Sequence, residues 1–362
     1  MRKILYVIDQ PNLYGSERHL LDTIKFQQTN YDISVIAFRE GPLIELIEEL
    51  GIKVYVIYQL GWIPSQQALR YFEQIIKEVT PDIIHSHQPK ANFWSTWMAR
   101  KTGCLHIATL HTMPIQAALV HPFPIKQIVR VFHRLIIEYV KILSTHCIYV
   151  SRTAMNLLSS HKQHESYIYN WVSPDRNKNT QLHKGTINYI CIGSISKSKG
   201  TKELVDWFEW IAKKNSIARL TIVGNGSESY LKYIRDYIRN KNLENRIKML
   251  GYSDNIIQLL RENDIFISAT QSESFGLVFI EAMIQGLPII TRQIAVLEEL
   301  IPQGNLFIKN DQISESDFNA FIKRVKSGSV SKANAYWTHT NFNYDRQQQK
   351  ISELYESLFR YS

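Results

Sequence analysis

Short unbroken apolar runs alternate along this chain with longer segments whose apolar residues recur every three and four positions. Residues 2–9 (RKILYVID) form the first run, a Gly-bearing turn follows from Gln10 to Glu17, and a helical period extends to about Gln28. Strand-like runs recur at 33–38 and 53–58, with helical periods at 43–50 and 65–79. Unbroken apolar runs suit strands covered on both faces, and their alternation with helices predicts a doubly wound parallel sheet. Two further runs close in polar residues, at Pro81–His87 and at His106–His111, where open α/β sheets place ligands. A long amphipathic period lies within 114–145, then a strand at 146–150, a helix begun by Ser151 and a short strand near 167–172.

Residues 173–185 are polar and aperiodic, which predicts a linker. The pattern then restarts. Strands are expected at 187–195, 220–223, 246–251, 265–268 and 306–308, with helices at 201–214 and from Ser227 to about Asn240, and a terminal amphipathic helix from Tyr344 to Leu358. A length of 362 residues suits two domains. The expected boundaries are 1–172, a linker at 173–185, 186–340, and a C-terminal helix within 341–362 that returns to the first domain.

A hydrophobic content of 44% with 21% charged residues fits a folded globular chain. No run approaches the roughly 18 apolar residues of a membrane span, and the first apolar run stops at Asp9, as a strand would and a signal peptide would not. A cytoplasmic protein is expected. Cys104, Cys147 and Cys191 are widely spaced in apolar surroundings, which predicts free thiols. The net charge of +9 calls for an anionic partner. It is spread over both halves with no arginine-rich arm, which disfavours nucleic acid and leaves phosphate-bearing substrates or anionic lipid. Within 114–145, Lys126, Arg130, Arg134 and Lys141 are expected on the polar side of a helix whose apolar side either rests on a membrane or packs on the sheet.

The chemistry concentrates between Asp264 and Glu299. A strand-like run, Ile265 to Ser268, opens into the polar loop Gln271 to Ser274, and Glu273 and Glu281 stand seven residues apart. A helix starting at Gly276 or Leu277 would aim free N–H groups and its dipole at that loop, a cradle for phosphate. Two carboxylates around an anion site suit a ligand with hydroxyls at both ends and phosphates between, such as a nucleotide-sugar. The stretch Glu273-Ser-Phe-Gly-Leu-Val-Phe-Ile-Glu281, with Gly286-Leu287-Pro288 and Glu299, resembles the E-x7-E signature of retaining glycosyltransferases with the GT-B fold (glycosyltransferase family 4, glycosyl transferases group 1).

The resemblance implies two Rossmann-like domains facing across a cleft, with acceptor in the first and nucleotide-sugar in the second. It implies Glu273 on the donor-sugar hydroxyls, Glu281 on the ribose, His111 beside the transferred sugar, and Lys199 on the leaving diphosphate. Further donor contacts are expected at Gly15, Gly193, Ser194, Gly224, Tyr252, Ser274, Phe275, Gly276 and Leu277. Ser194 stands where the family carries an arginine, with Lys197 as an extra cation nearby, and Ala295-Val296 replace a glycine pair. The chain has no Asp-x-Asp motif, so no metal is expected on the diphosphate. His85-x-His87 points two imidazoles one way, and with His111 raises a metal site as an alternative without an accompanying carboxylate. The implied activity is retaining transfer from a UDP-sugar to a glycan or lipid-linked glycan in cell-surface polysaccharide synthesis, with peripheral contact to the inner membrane face. The alternative is a non-catalytic nucleotide-sugar-binding or partner-binding member of the same fold.

Overall fold

Asp82 and Asp264 open the two strands on which the architecture turns. In the computed structural model, which describes residues 1–13, 15–58, 60–111, 124–159, 164–172 and 187–360, Asp82 Oδ2 accepts from the Lys3 backbone N–H at 2.8 Å and Asp264 Oδ2 from that of Asn188, also at 2.8 Å. Each carboxylate thus pins the start of one central strand to its neighbour, once in each of two units. The first unit comprises Met1–Asn170 with Asp345–Ser362, and the second Trp171–Tyr344. The expected linker at 173–185 lies outside the described residues.

The first unit holds a parallel sheet of β1 (Lys3–Ile8), β2 (Asp32–Ala37), β3 (Lys53–Val56), β4 (Ile83–His87), β5 (Leu105–Leu110), β6 (His146–Tyr149) and β7 (Glu165–Tyr167), in the order β3-β2-β1-β4-β5-β6-β7. The second holds β8 (Asn188–Ile192), β9 (Arg219–Val223), β10 (Ile247–Gly251), β11 (Ile265–Ser268), β12 (Ile289–Arg292) and β13 (Leu306–Ile308), in the order β10-β9-β8-β11-β12-β13. Strand order therefore reverses between β1 and β4 and between β8 and β11, the switch points at whose carboxyl edge such sheets bind ligands. The central strands are buried and read as unbroken apolar sequence for that reason.

The helix Tyr344–Phe359 lies in the first unit from Asp345 onward. Its Tyr355 is fully buried, with its hydroxyl 2.9 Å from that of Tyr6 and 2.6 Å from His85 Nδ1. In the first helix, Gly15–Gln27, the Ser16 hydroxyl donates to Glu17 Oε2 at 2.8 Å. One sequence expectation needs correction. Lys141 is not on a solvent face of the helix Ile125–Leu143, because its side chain is buried, paired with Glu138 and bonded to the Leu158 carbonyl. The apolar stem and hydrogen bonds of a lysine let it enter where the helical period places it.

Candidate functional site

In the second unit, the loops after β8 and β11 flank the switch point. The β8 loop turns through Gly193 to Gly200, and its shape depends on backbone approach. A Cβ on Gly200, whose φ is +65°, would lie 2.0 Å from the Ala269 carbonyl oxygen, and one on Gly224 would lie 1.9 Å from that of Gly193. Gln271 N–H donates to the Ser198 carbonyl at 3.1 Å, tying the two loops together. They bring Lys199 and Glu273 into an ion pair, Nζ to Oε1 at 2.5 Å. Glu273 is buried and also accepts from the Thr270 hydroxyl at 3.2 Å, whereas Lys199 stays about one-third exposed.

The helix that follows is Leu277–Ile284, capped by Gly276 at φ +86°, where a Cβ would come within 2.8 Å of the Phe279 ring. The sequence LVFIEAMI is apolar nearly all round because the helix is buried between the sheet, through Phe279 on Phe266, and other helices. Gly276 supplies no side-chain cap, so the first N–H groups face the loop that carries Glu273. Glu281 is half-buried in the helix's second turn. Of the other expected donor residues, Ser194 is exposed, and Gly193 and Gly224 form the interlocked turns above. Tyr252 is exposed and donates to Asp254 at 2.6 Å. Ser274 and Leu277 lie half-buried at the loop and helix start. Phe275 points its ring into the core against Phe342, leaving its backbone to the loop. Ala295 and Val296 begin a short helix, with Val296 buried.

Sequence reasoning missed Thr270 and Arg292. Arg292, at the end of β12, donates to the Ala269 carbonyl at 3.3 Å and pairs with Asp311 at 2.7 Å; its Nη2 is buried without a partner. A charged residue closing an apolar strand, as in PIITR, was the available signal.

In the first unit, Gly15 is the first residue of its helix and His111 follows β5. His111 Nε2 lies 2.9 Å from His87 Nδ1, and His19, which the sequence reading passed over, completes a cluster whose ligand atoms all lie within 4.8 Å of one another. His19 sits four residues after Gly15 on the same helix, a spacing that could have marked it. His85 and His87 do share a face, their rings stacked at 4.6 Å, but both nitrogens of His85 are taken by Tyr355 and Thr109. Burial depresses every one of these imidazoles: His111 falls to about 4, and His19 and His87 lie well below the usual range. The His87–His111 bond needs one donor and one acceptor, which two neutral rings supply and two imidazolium ions do not. Three neutral imidazoles are also the chemistry of a metal ligand set, and this trio is where such an ion would fit among the described residues. Behind it, Glu17 is buried, accepts from Ser16 and from Gln88 Nε2 at 2.9 Å, and has its carboxyl raised by burial.

Two doubly wound units, one with a lysine–glutamate pair and an open helix N-terminus at its switch point, define the architecture of a GT-B glycosyltransferase. The glycosyl transferases group 1 model matches residues 173–344 and the Glycosyltransferase Family 4 model residues 14–176. The two matches together run through both units, and the chain belongs to this family of glycosyltransferases. It is 23% identical to the Escherichia coli UDP-Gal:alpha-D-GlcNAc-diphosphoundecaprenol alpha-1,3-galactosyltransferase, over 98% of this chain and 96% of the relative. It is 22% identical to the capsular polysaccharide biosynthesis glycosyltransferase CapH of Staphylococcus aureus, over 99% of both chains. The crystal structure of Anabaena HepE in complex with UDP and glucose superposes with a TM-score of 0.81 at 20% identity, covering 99% of this chain and 100% of that one.

Proposed function

We propose that this enzyme transfers a sugar from a UDP-sugar to a lipid-linked glycan acceptor in cell-surface polysaccharide synthesis, with retention of anomeric configuration and without a metal on the diphosphate. The observation that carries the reading is the Lys199–Glu273 pair beside the Leu277–Ile284 N-terminus. Lys199 and the N–H groups at Phe275 to Val278 would stabilise charge on the departing diphosphate. Glu273 would hold donor-sugar hydroxyls and Glu281 the ribose. In the reaction the bond from the anomeric carbon to the diphosphate oxygen breaks, one to the acceptor oxygen forms, and the acceptor hydroxyl's proton passes to the departing diphosphate. His111, neutral near pH 7, would hydrogen-bond the transferred sugar without placing positive charge beside a carbon that is itself becoming positive. Supporting the donor and acceptor are the UDP-Gal and diphosphoundecaprenol in the name of the Escherichia coli relative and the UDP bound to HepE.

A thermal-shift panel of UDP-, GDP- and ADP-sugars, each with magnesium and with EDTA, tests this. Stabilisation by UDP-sugars alone, unchanged by EDTA, is the expected result. A response to another nucleotide, or one that requires magnesium, would overturn the assignment.

A further inference from the structure

Three imidazoles of the first unit converge at the carboxyl edge of its sheet from three elements: His19 from the helix Gly15–Gln27, His87 from the end of β4 and His111 from just after β5. One ring nitrogen of each lies within 4.8 Å of those of the other two. His87 Nδ1 and His111 Nε2 are 2.9 Å apart, close to the roughly 3.3 Å between two nitrogens bound to one tetrahedral ion. Small ring rotations therefore close the set. His85 is not a member, because both of its nitrogens are already bonded. His87 Nε2 is buried with no hydrogen-bond partner, so outside the trio no group fixes which nitrogen carries the His87 proton. Burial keeps all three rings neutral near pH 7, the form whose lone pair binds metal. Glu17, on the same helix as His19, has its carboxylate engaged by Ser16 and Gln88.

We propose that His19, His87 and His111 form a three-imidazole site for a divalent ion of the zinc and cobalt class, and that the bound ion inhibits sugar transfer. Imidazole donors without a carboxylate suit these borderline ions and offer nothing to the oxygen-seeking Mg²⁺ and Ca²⁺. His19 and His87 are buried and His111 only half-buried, which leaves the fourth position to the His111 side, where water completes the tetrahedron. Coordination takes the lone pairs of His87 Nδ1 and His111 Nε2 together. The proton that one of them contributes to their hydrogen bond moves to that ring's other nitrogen, and both rings stay neutral. Inhibition follows from the role given to His111 under the proposed function, and only this half of the inference rests on that reading. The ion occupies the His111 nitrogen and sets two positive charges beside a carbon that is itself becoming positive.

The test is titration of cobalt(II) into the full chain after EDTA stripping and removal of the chelator, with neither donor nor acceptor present. Wild type should develop the strong visible absorption of a tetrahedral complex at one equivalent, and lose it to added zinc but not to magnesium. His19→Gln and His87→Gln should each weaken zinc binding by more than about 100-fold, since even an outer-shell partner of a metal ligand is worth about 10- to 100-fold. X-ray absorption of zinc-loaded wild type gives a check that needs no variant to fold: three imidazole nitrogens at about 2.0–2.1 Å are expected. Absence of the tetrahedral spectrum, variants that bind zinc as wild type does, or a zinc shell of carboxylate or thiolate would overturn the site. In turnover assays, one equivalent of zinc should suppress sugar transfer at least about tenfold and EDTA should restore it. Zinc held by the three imidazoles with turnover unchanged would fault the placement of His111 at the transferred sugar and leave the metal site standing.

Discussion

Glu273 is buried, yet its ion-pair partner Lys199 reaches solvent. Removing the carboxylate therefore leaves a lysine that water can solvate and not a stranded buried charge. Glu273→Ala should abolish sugar transfer while leaving the circular dichroism spectrum and cooperative melt intact; retained turnover would contradict its placement on the donor. Gly200 is the opposite case, a residue whose role is shape. Its left-handed backbone costs an L-residue about 1–2 kcal/mol, and the added methyl meets the Ala269 carbonyl at 2.0 Å. Gly200→Ala should lower stability by at least about 1–2 kcal/mol in urea denaturation and weaken UDP binding with it. At this scale the sequence was informative where residue type and spacing coincide, as in Glu273, Gly276 and Glu281. It left only weak signals for His19 and Arg292, whose partners come from other elements, and Thr270 was passed over although it lies three residues before Glu273.

Among the elements, the C-terminal helix is held by polar groups as well as by packing. Tyr355 joins Tyr6 and His85 in a buried chain that continues to Thr109, and Ser352 bonds Gln27 at 3.0 Å. Tyr355→Phe keeps the ring and removes the hydroxyl. It should cost about 1–3 kcal/mol for each buried group left without a partner, read as a lower urea midpoint with an unchanged slope. The helical period located this helix correctly, at Tyr344–Phe359 against an expected Tyr344–Leu358. For Ile125–Leu143 the period predicted the element but not which side is covered. An exposed apolar stripe and a buried one have the same periodicity, and only the neighbours distinguish them, which is also why Lys141 was placed on the wrong face.

On the scale of the whole molecule, the buried imidazoles couple stability to pH. His111 and His146 are depressed to about 4 and His106 to about 3, against an ordinary 6.5. Between those values the unfolded chain binds protons that the folded one refuses, so stability is complete above about pH 6.5 and falls as the pH drops toward 4. Melting temperature should decline across that window, and His106→Gln should show a shallower decline. An equal slope in wild type and variant would contradict the neutral, buried state of His106. The α/β character of both units was legible in the alternation of apolar runs and helices, whereas the strand order comes from which strands pair.

The proposed donor site, formed by the β8 and β11 loops with the Leu277–Ile284 helix, would bind UDP through charge on the protein and without a metal. Isothermal titration of UDP into wild type and Glu281→Ala in EDTA tests it directly. Wild type should bind, and the variant should bind more weakly by about 1–3 kcal/mol through loss of a charged acceptor. Absence of UDP binding in wild type, or equal affinity in the variant, would contradict the account.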